Sequence, residues 1–223
     1  MSNSFGVIIG NAASGNSMVI SNGGTVFDRN GIVGSPSSSG NSVEVVGTGS
    51  VWSNTTRVTI GGGSSSNSLL IADAAKVFDV SGVVGSGGNA NTNSVQVMTN
   101  GLWRNGVLTV GNGGSKNSLV INGGSVSATS LTVRPGSTTC DNLVELDNGN
   151  LTVTNNGAGV LDVRNGQLTL NGGVLQVDNL VITNSCASFV HTGGTLIAGT
   201  VVLDPNTFHI VSATPQGNDV LVT

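Results

Sequence analysis

The run Asn93-Ser-Val-Gln-Val97, followed by Gly101-Leu-Trp103, Leu108-Thr-Val-Gly111 and then Asn117-Ser-Leu-Val-Ile121, decides the fold. Three short alternating runs separated by Gly, Asn and Ser turns carry the chain back to where it began. Working outward, the first run recurs as Asn16-Ser-Met-Val-Ile20, Asn41-Ser-Val-Glu-Val45, Asn67-Ser-Leu-Leu-Ile71 and Asn142-Leu-Val-Glu-Leu146. The six asparagines are spaced by 25, 26, 26, 24 and 25 residues. The second run recurs as Gly24-Thr-Val-Phe27, Gly49-Ser-Val-Trp52 and Ala75-Lys-Val-Phe78. The third recurs as Gly31-Ile-Val-Gly34, Val58-Thr-Ile-Gly61, Gly82-Val-Val-Gly85 and Leu131-Thr-Val133. Val7-Ile-Ile-Gly10 matches the third run, so the chain begins part-way round a unit.

Alternation with period two marks half-buried strands. Met18 and Ile20, Val43 and Val45, Leu69 and Ile71, Val95 and Val97, and Leu119 and Ile121 share one face. Val19, Glu44, Leu70, Gln96 and Val120 occupy the other. A unit of about 25 residues with three strands cannot bury its apolar face alone. It is stable when each strand pairs with its counterpart in the next unit, at about 4.8 Å per layer. The expected fold is therefore an all-β parallel β-helix over residues 1–204, three short strands per rung and about eight rungs. Val26, Val51, Val77, Leu102, Val126, Leu151, Leu175 and Leu196 are the expected inward column of the second run. Residues 205–223 read as a hairpin-like cap, built from 208–213 and 219–223, or as the start of a following domain.

Composition agrees with stacking. Of 223 residues, 8% are charged, against about 25% in an average soluble domain. A charge repeated in one column would face its own kind in every layer, whereas Asn, Ser and Thr bond along the stack. Asn16, Asn41, Asn67, Asn93, Asn117 and Asn142 are the candidate asparagine ladder; plain turn preference is the alternative reading. Gly10, Gly34, Gly61, Gly85 and Gly111 suit a corner that needs positive φ or close backbone approach. The hydrophobic share of 37% argues against disorder. A net charge of -4 argues against nucleic acid as a partner. No run of about 18 apolar residues is present to insert into a membrane. Met1-Ser-Asn-Ser4 lacks the features of a signal peptide.

Phe27, Trp52, Phe78 and Trp103 recur at steps of 25, 26 and 25 beside the expected inward column. Alternation points them outward, either stacked on one another under a loop or presented as a ligand-binding platform for glycans. The acids Asp28, Glu44, Asp73, Asp79, Asp141, Glu145, Asp147, Asp162 and Asp178 are scattered without a basic partner in matching phase. They argue against a polysaccharide lyase or hydrolase, and no catalytic residue is assigned. His191 aligns with inward Leu170 and reads as a buried or end-cap side chain. With only His209 besides, no metal site is expected. Cys140 and Cys186 fall two units apart, a separation of about 9–10 Å. That exceeds the reach of a disulfide, so free thiols are expected. Thr59, Thr109 and Thr132 share an outward column with Ile8, Ile32 and Val83, which breaks the regular array an ice-binding face needs.

The pattern Asn-Ser-Leu-Val-Ile, then Gly-x-Val-Trp, then Leu-x-Val-Gly resembles the Gly/Asn/Ser-rich β-helix repeats of large secreted and autotransporter-passenger-like bacterial proteins. Asn67 to Gly85 and Asn93 to Gly124 carry it most clearly, within a span of about residues 5–204. The resemblance implies a right-handed parallel β-helix in a secreted or cell-surface protein, of which this chain is a segment. The expected function is a non-enzymatic stalk, surface-display or adhesin-like module that needs no cofactor. Glycans, cell-surface components or end-to-end copies of the chain are its expected partners. A carbohydrate-binding module is the alternative and a β-helix enzyme the third reading.

Overall fold

A computed structural model describes residues 5–134 and 140–203 and the backbone of 220–222. The described residues contain strands and turns and no helix, and the strands join in one parallel sheet coiled as a β-solenoid of about eight turns. Each coil has three faces, here called A, B and C. Face A is built from strands such as Ser17–Ile20, Ser42–Val46, Ser68–Ala72 and Ser94–Met98. Face B includes Lys76–Phe78 and Leu102–Arg104, and face C includes Ser81–Ser86, Val107–Asn112 and Ser130–Val133. Longer strands such as Val51–Gly62 and Ser118–Ala128 bend through a corner and contribute to two faces.

The registers give continuous columns. On face A, Met18, Val43, Leu69, Val95, Leu119, Val144, Leu168 and Phe189 stack in order. Ile20, Val45, Ile71, Val97, Ile121, Leu146, Leu170 and His191 form the second inward column. From the second coil onward these side chains are sealed from solvent. Val7, Met18 and Val26 at the first coil are only partly covered, because nothing lies beyond them among the described residues. Each interior coil packs against the coil before it and the coil after it, so apolar burial at about 25 cal/mol per Å² recurs layer after layer.

The column expected on face B is corrected by one residue in two places. The register runs Val26, Trp52, Val77, Trp103, Val126, Leu151, Leu175, Leu196. Val51 and Leu102 stand on the outer side, aligned with Thr25, Lys76 and Ser125. At the far end, Val220–Val222 pairs in parallel with Leu196–Ala198, adding one more layer to face B. The other half of the expected hairpin, 208–213, lies outside the described residues.

Candidate functional site: the asparagine ladder and the buried indoles

The six asparagines stand at the corner leading into face A. Nδ2 of Asn16 donates to Oδ1 of Asn41 at 2.9 Å, and the same bond recurs through Asn67, Asn93, Asn117 and Asn142 at 2.9–3.2 Å. Each backbone N–H donates to the same Oδ1 of the next asparagine, at 2.9–3.0 Å. One carbonyl oxygen thus satisfies two donors from the coil before it. Asn41, Asn67, Asn93, Asn117 and Asn142 are fully buried, so an unmade bond here would leave a desolvated polar group. Gly10, Gly34, Gly61, Gly85 and Gly111 have φ of 75–81°. A Cβ at any of them would come within 2.4 Å of the amide of the asparagine in the following coil. Both requirements on these glycines therefore hold at once: a left-handed corner and the close approach of an amide.

The outward aromatic column is corrected. Trp52 and Trp103 have 0% exposure and point into the core, whereas Phe27, 48% exposed, and Phe78 point out. Phe27 aligns with Ser53, Phe78 and Arg104, not with the tryptophans. The four rings therefore form no common platform. Coil lengths vary by a residue, so equal spacing does not fix which of two adjacent positions is inward.

The indoles belong to a device repeating every two coils. Nε1 of Trp52 donates to Oδ2 of Asp28 at 3.0 Å, and Nε1 of Trp103 donates to Oδ2 of Asp79 at 2.8 Å. In both cases the acid lies in the preceding coil, and both acids are buried. The room for each indole comes from a glycine in that same preceding coil. A Cβ at Gly31 would lie 2.2 Å from Cζ2 of Trp52, and one at Gly82 would lie 2.8 Å from Cζ2 of Trp103. Val58 and Leu108 occupy the same column in the alternate coils. Large and small residues thus alternate between two neighbouring columns. Asn54 stands opposite Asp28. Asn105, oriented with its amide nitrogen toward Asp79, donates to Oδ1 at 2.6 Å. Burial pushes the Asp79 carboxyl up to about 7, against the downward pull of the indole N–H. Burial raises Asp28 as well.

Asp79 and Asn105 form the floor of an open concavity of about 440 Å³, walled by Phe78, Val80, Arg104, Gly106 and Thr129. Its carboxylate is engaged by Trp103 and Asn105. The lining holds no second acid, and its one hydroxyl, that of Thr129, donates to the Gly106 carbonyl at 2.6 Å.

Four further acids have partners of their own, away from the indoles. Asp162 pairs with Arg164 at 2.6 Å. Glu145 and Asp147 share the amide of Asn171. Burial, then the neighbouring Asp147, raises Glu145. Oδ2 of Asp178 accepts the backbone N–H groups of Asn155, Gly157 and Gly159 at 2.6–3.0 Å, and these hold its carboxylate below the ordinary range. Among the described residues, no three His, Cys, Asp or Glu side chains converge as metal ligands. His191 is buried at the position of Leu170, stacked on Phe189 with ring centroids 5.9 Å apart. His209 lies outside the described residues.

The expectation of free thiols is also corrected: Cys140 and Cys186 form a disulfide with Cα atoms 5.3 Å apart. Two layers hold such residues apart only where the coil between them carries a full corner. Instead, one residue, Arg164, joins strand Val160–Val163 to strand Asn165–Leu170. Earlier coils spend several residues at this corner, as between Val110 and Ser118. With the intervening corner cut short, Cys140 reaches across it to Cys186.

No family model, curated protein or solved structure matches this chain.

Proposed function

We propose that this chain is a non-enzymatic structural module, a stalk or display segment of a larger exported bacterial protein. The observation that carries the proposal is the use made of its polar side chains. The six ladder asparagines, the buried Asp28 and the corner glycines are engaged along the stacking axis, and Asp79, at the floor of the open concavity, is likewise held by an indole of the next coil. Such a stack supplies length and stiffness. Eight coils at about 4.8 Å extend roughly 40 Å. The Cys140–Cys186 disulfide supports export, because disulfides persist in oxidising compartments and are rare in the cytosol. The Gly/Asn/Ser-rich repeat supports the same assignment through its resemblance to secreted and autotransporter-passenger-like proteins.

Small-angle scattering and proteinase K digestion of the folded chain, run beside a panel of polysaccharides, test the proposal. A rod-shaped particle that resists digestion and leaves every polysaccharide intact is the expected result. Turnover of any polysaccharide, lost on Asp79→Asn, would replace the structural reading with an enzymatic one.

A further inference from the structure

We infer that the Cys140–Cys186 disulfide is a redox-sensitive latch that holds the last coils of the solenoid closed, where the asparagine ladder no longer does so. The ladder stops at Asn142, whose Nδ2 donates to the carbonyls of Gly114 and Arg134 and to no further asparagine. In the next two coils Gly166 and Ala187 occupy the ladder position, and neither has an amide side chain. The Trp–Asp pairing is also absent beyond the fourth coil, where Val126, Leu151, Leu175 and Leu196 fill the inward column. The coils starting at Gly166 and Ala187 thus lack both polar devices that tie the earlier ones together.

The disulfide falls at this junction. It leaves the coil of Asn142, passes over the one-residue corner at Arg164 and ends on the strand Cys186–His191. Three consecutive coils are thereby clasped by one covalent bond. Cys186 is set by a local turn, in which Asn184 Oδ1 accepts the Cys186 N–H at 3.0 Å and the Asn184 carbonyl accepts that of Ala187. Cys140 is exposed and Cys186 half-buried, so a soluble dithiol has access. The dithiol delivers two electrons and two protons to the Sγ–Sγ bond. Two cysteine thiols result and the reductant becomes a disulfide. The neighbouring coils then keep their backbone ladders, their apolar columns and one exposed side-chain relay, in which Asn171 donates to Glu145 and Asp147 and accepts from Thr192. On the reading of the chain as exported, which this point alone rests on, the latch closes after the chain leaves the reducing cytosol.

The test is hydrogen exchange of the folded chain, read by peptide mass spectrometry with and without a dithiol reductant. Cys140→Ser/Cys186→Ser, examined without reductant, is the second arm. Reduction is expected to speed exchange at least about tenfold across 165–203 while peptides from 42–128 stay unchanged. The double variant is expected to match the reduced protein. Equal exchange in 165–203 with and without the bond, or equal loosening of every coil, overturns the latch. So does titration of two free thiols in the unreduced protein. None of these readouts depends on what the module displays or where it is exported.

Discussion

At Asn93 a single Oδ1 accepts both the backbone N–H and the Nδ2 of Asn67, in a site closed to water. Asn93→Ala would orphan the Asn67 backbone N–H and one of the two Asn67 amide hydrogens, the other staying with Ser64 and Ser65, at a cost of about 2–4 kcal/mol from the desolvation of unpaired buried groups. Asn16→Ala removes an exposed end of the ladder whose oxygen serves no coil before it among the described residues. Urea denaturation should show a loss several-fold smaller there, and equal losses at the two positions would mean that the ladder is not cooperative with folding. Asp79 supplies a pH signature. Its carboxyl in the folded chain sits near 7 against an ordinary value of 3.8, because burial disfavours the charge. The folded state therefore holds a proton that the unfolded state has lost between roughly pH 4 and 7. Stability falls as pH rises through that window, by at most about 1.4 kcal/mol per unit. Asp28 pulls in the same direction. Denaturation midpoints recorded from pH 4 to 8 should decline in the parent chain and flatten in Asp79→Asn. An unchanged slope would mean that Asp79 ionises like an ordinary surface acid.

At the level of the strand, the asparagine spacing made face A legible in the sequence, because Asn, turn and alternating apolar pair recur together. Face B was less legible. The segment from Val45 to Trp52 is one residue longer than that from Ile20 to Val26, so equal aromatic steps misplaced the inward column. Volume would have given the better signal. Gly31 and Gly82 replace the Val or Leu found at Val58, Leu108 and Leu131, and each hole lies one coil before a tryptophan. The carboxylate–indole bond was also hidden, since it joins residues 24 apart whose facing depends on that same register. Gly31→Ala tests the volume argument. Its Cβ would collide with Trp52, and overpacking of this kind costs about 1–3 kcal/mol. In a double-mutant cycle with Trp52→Val, part of that cost should disappear. Strict additivity would show that the indole does not occupy the glycine's space. The disulfide is hidden in the sequence for a related reason, since a count of layers carries no information on the length of the corner at Arg164. At the far corner, Asp178 gathers three amides of the 154–159 loop. Asp178→Ala should speed amide exchange at Asn155, Gly157 and Gly159 and leave face A peptides protected. Unaltered exchange at those three amides would show that the carboxylate does not hold the loop.

For the whole molecule, the solenoid's stability is a sum over layers and their interfaces, but its first four layers are not equivalent. Coils with Val, Asp and Gly at the second corner alternate with coils bearing Trp, Asn and Val or Leu. The natural unit of addition or loss is therefore a pair of coils. Removing Trp52–Leu102, 51 residues, places Trp103 over Val26, Asn105 beside Asp28 and Leu108 over Gly31, which preserves the alternation. It also brings Asn117 next to Asn41, so the ladder continues. Removing only Trp52–Lys76, 25 residues, stacks Val77 on Val26 and sets Asp79 directly beside Asp28. Two buried acids then face each other across one layer with no indole N–H between them, and Gly31 meets Gly82 over an unfilled hole. Unpaired buried charge and cavity each cost several kcal/mol, more than a well-matched layer contributes. The shorter protein should consequently have the higher urea midpoint at pH 8, and the gap should narrow at pH 4, where both acids take up protons. A midpoint that simply falls with the number of coils removed would mean that the layers are interchangeable and the two-coil period has no energetic weight.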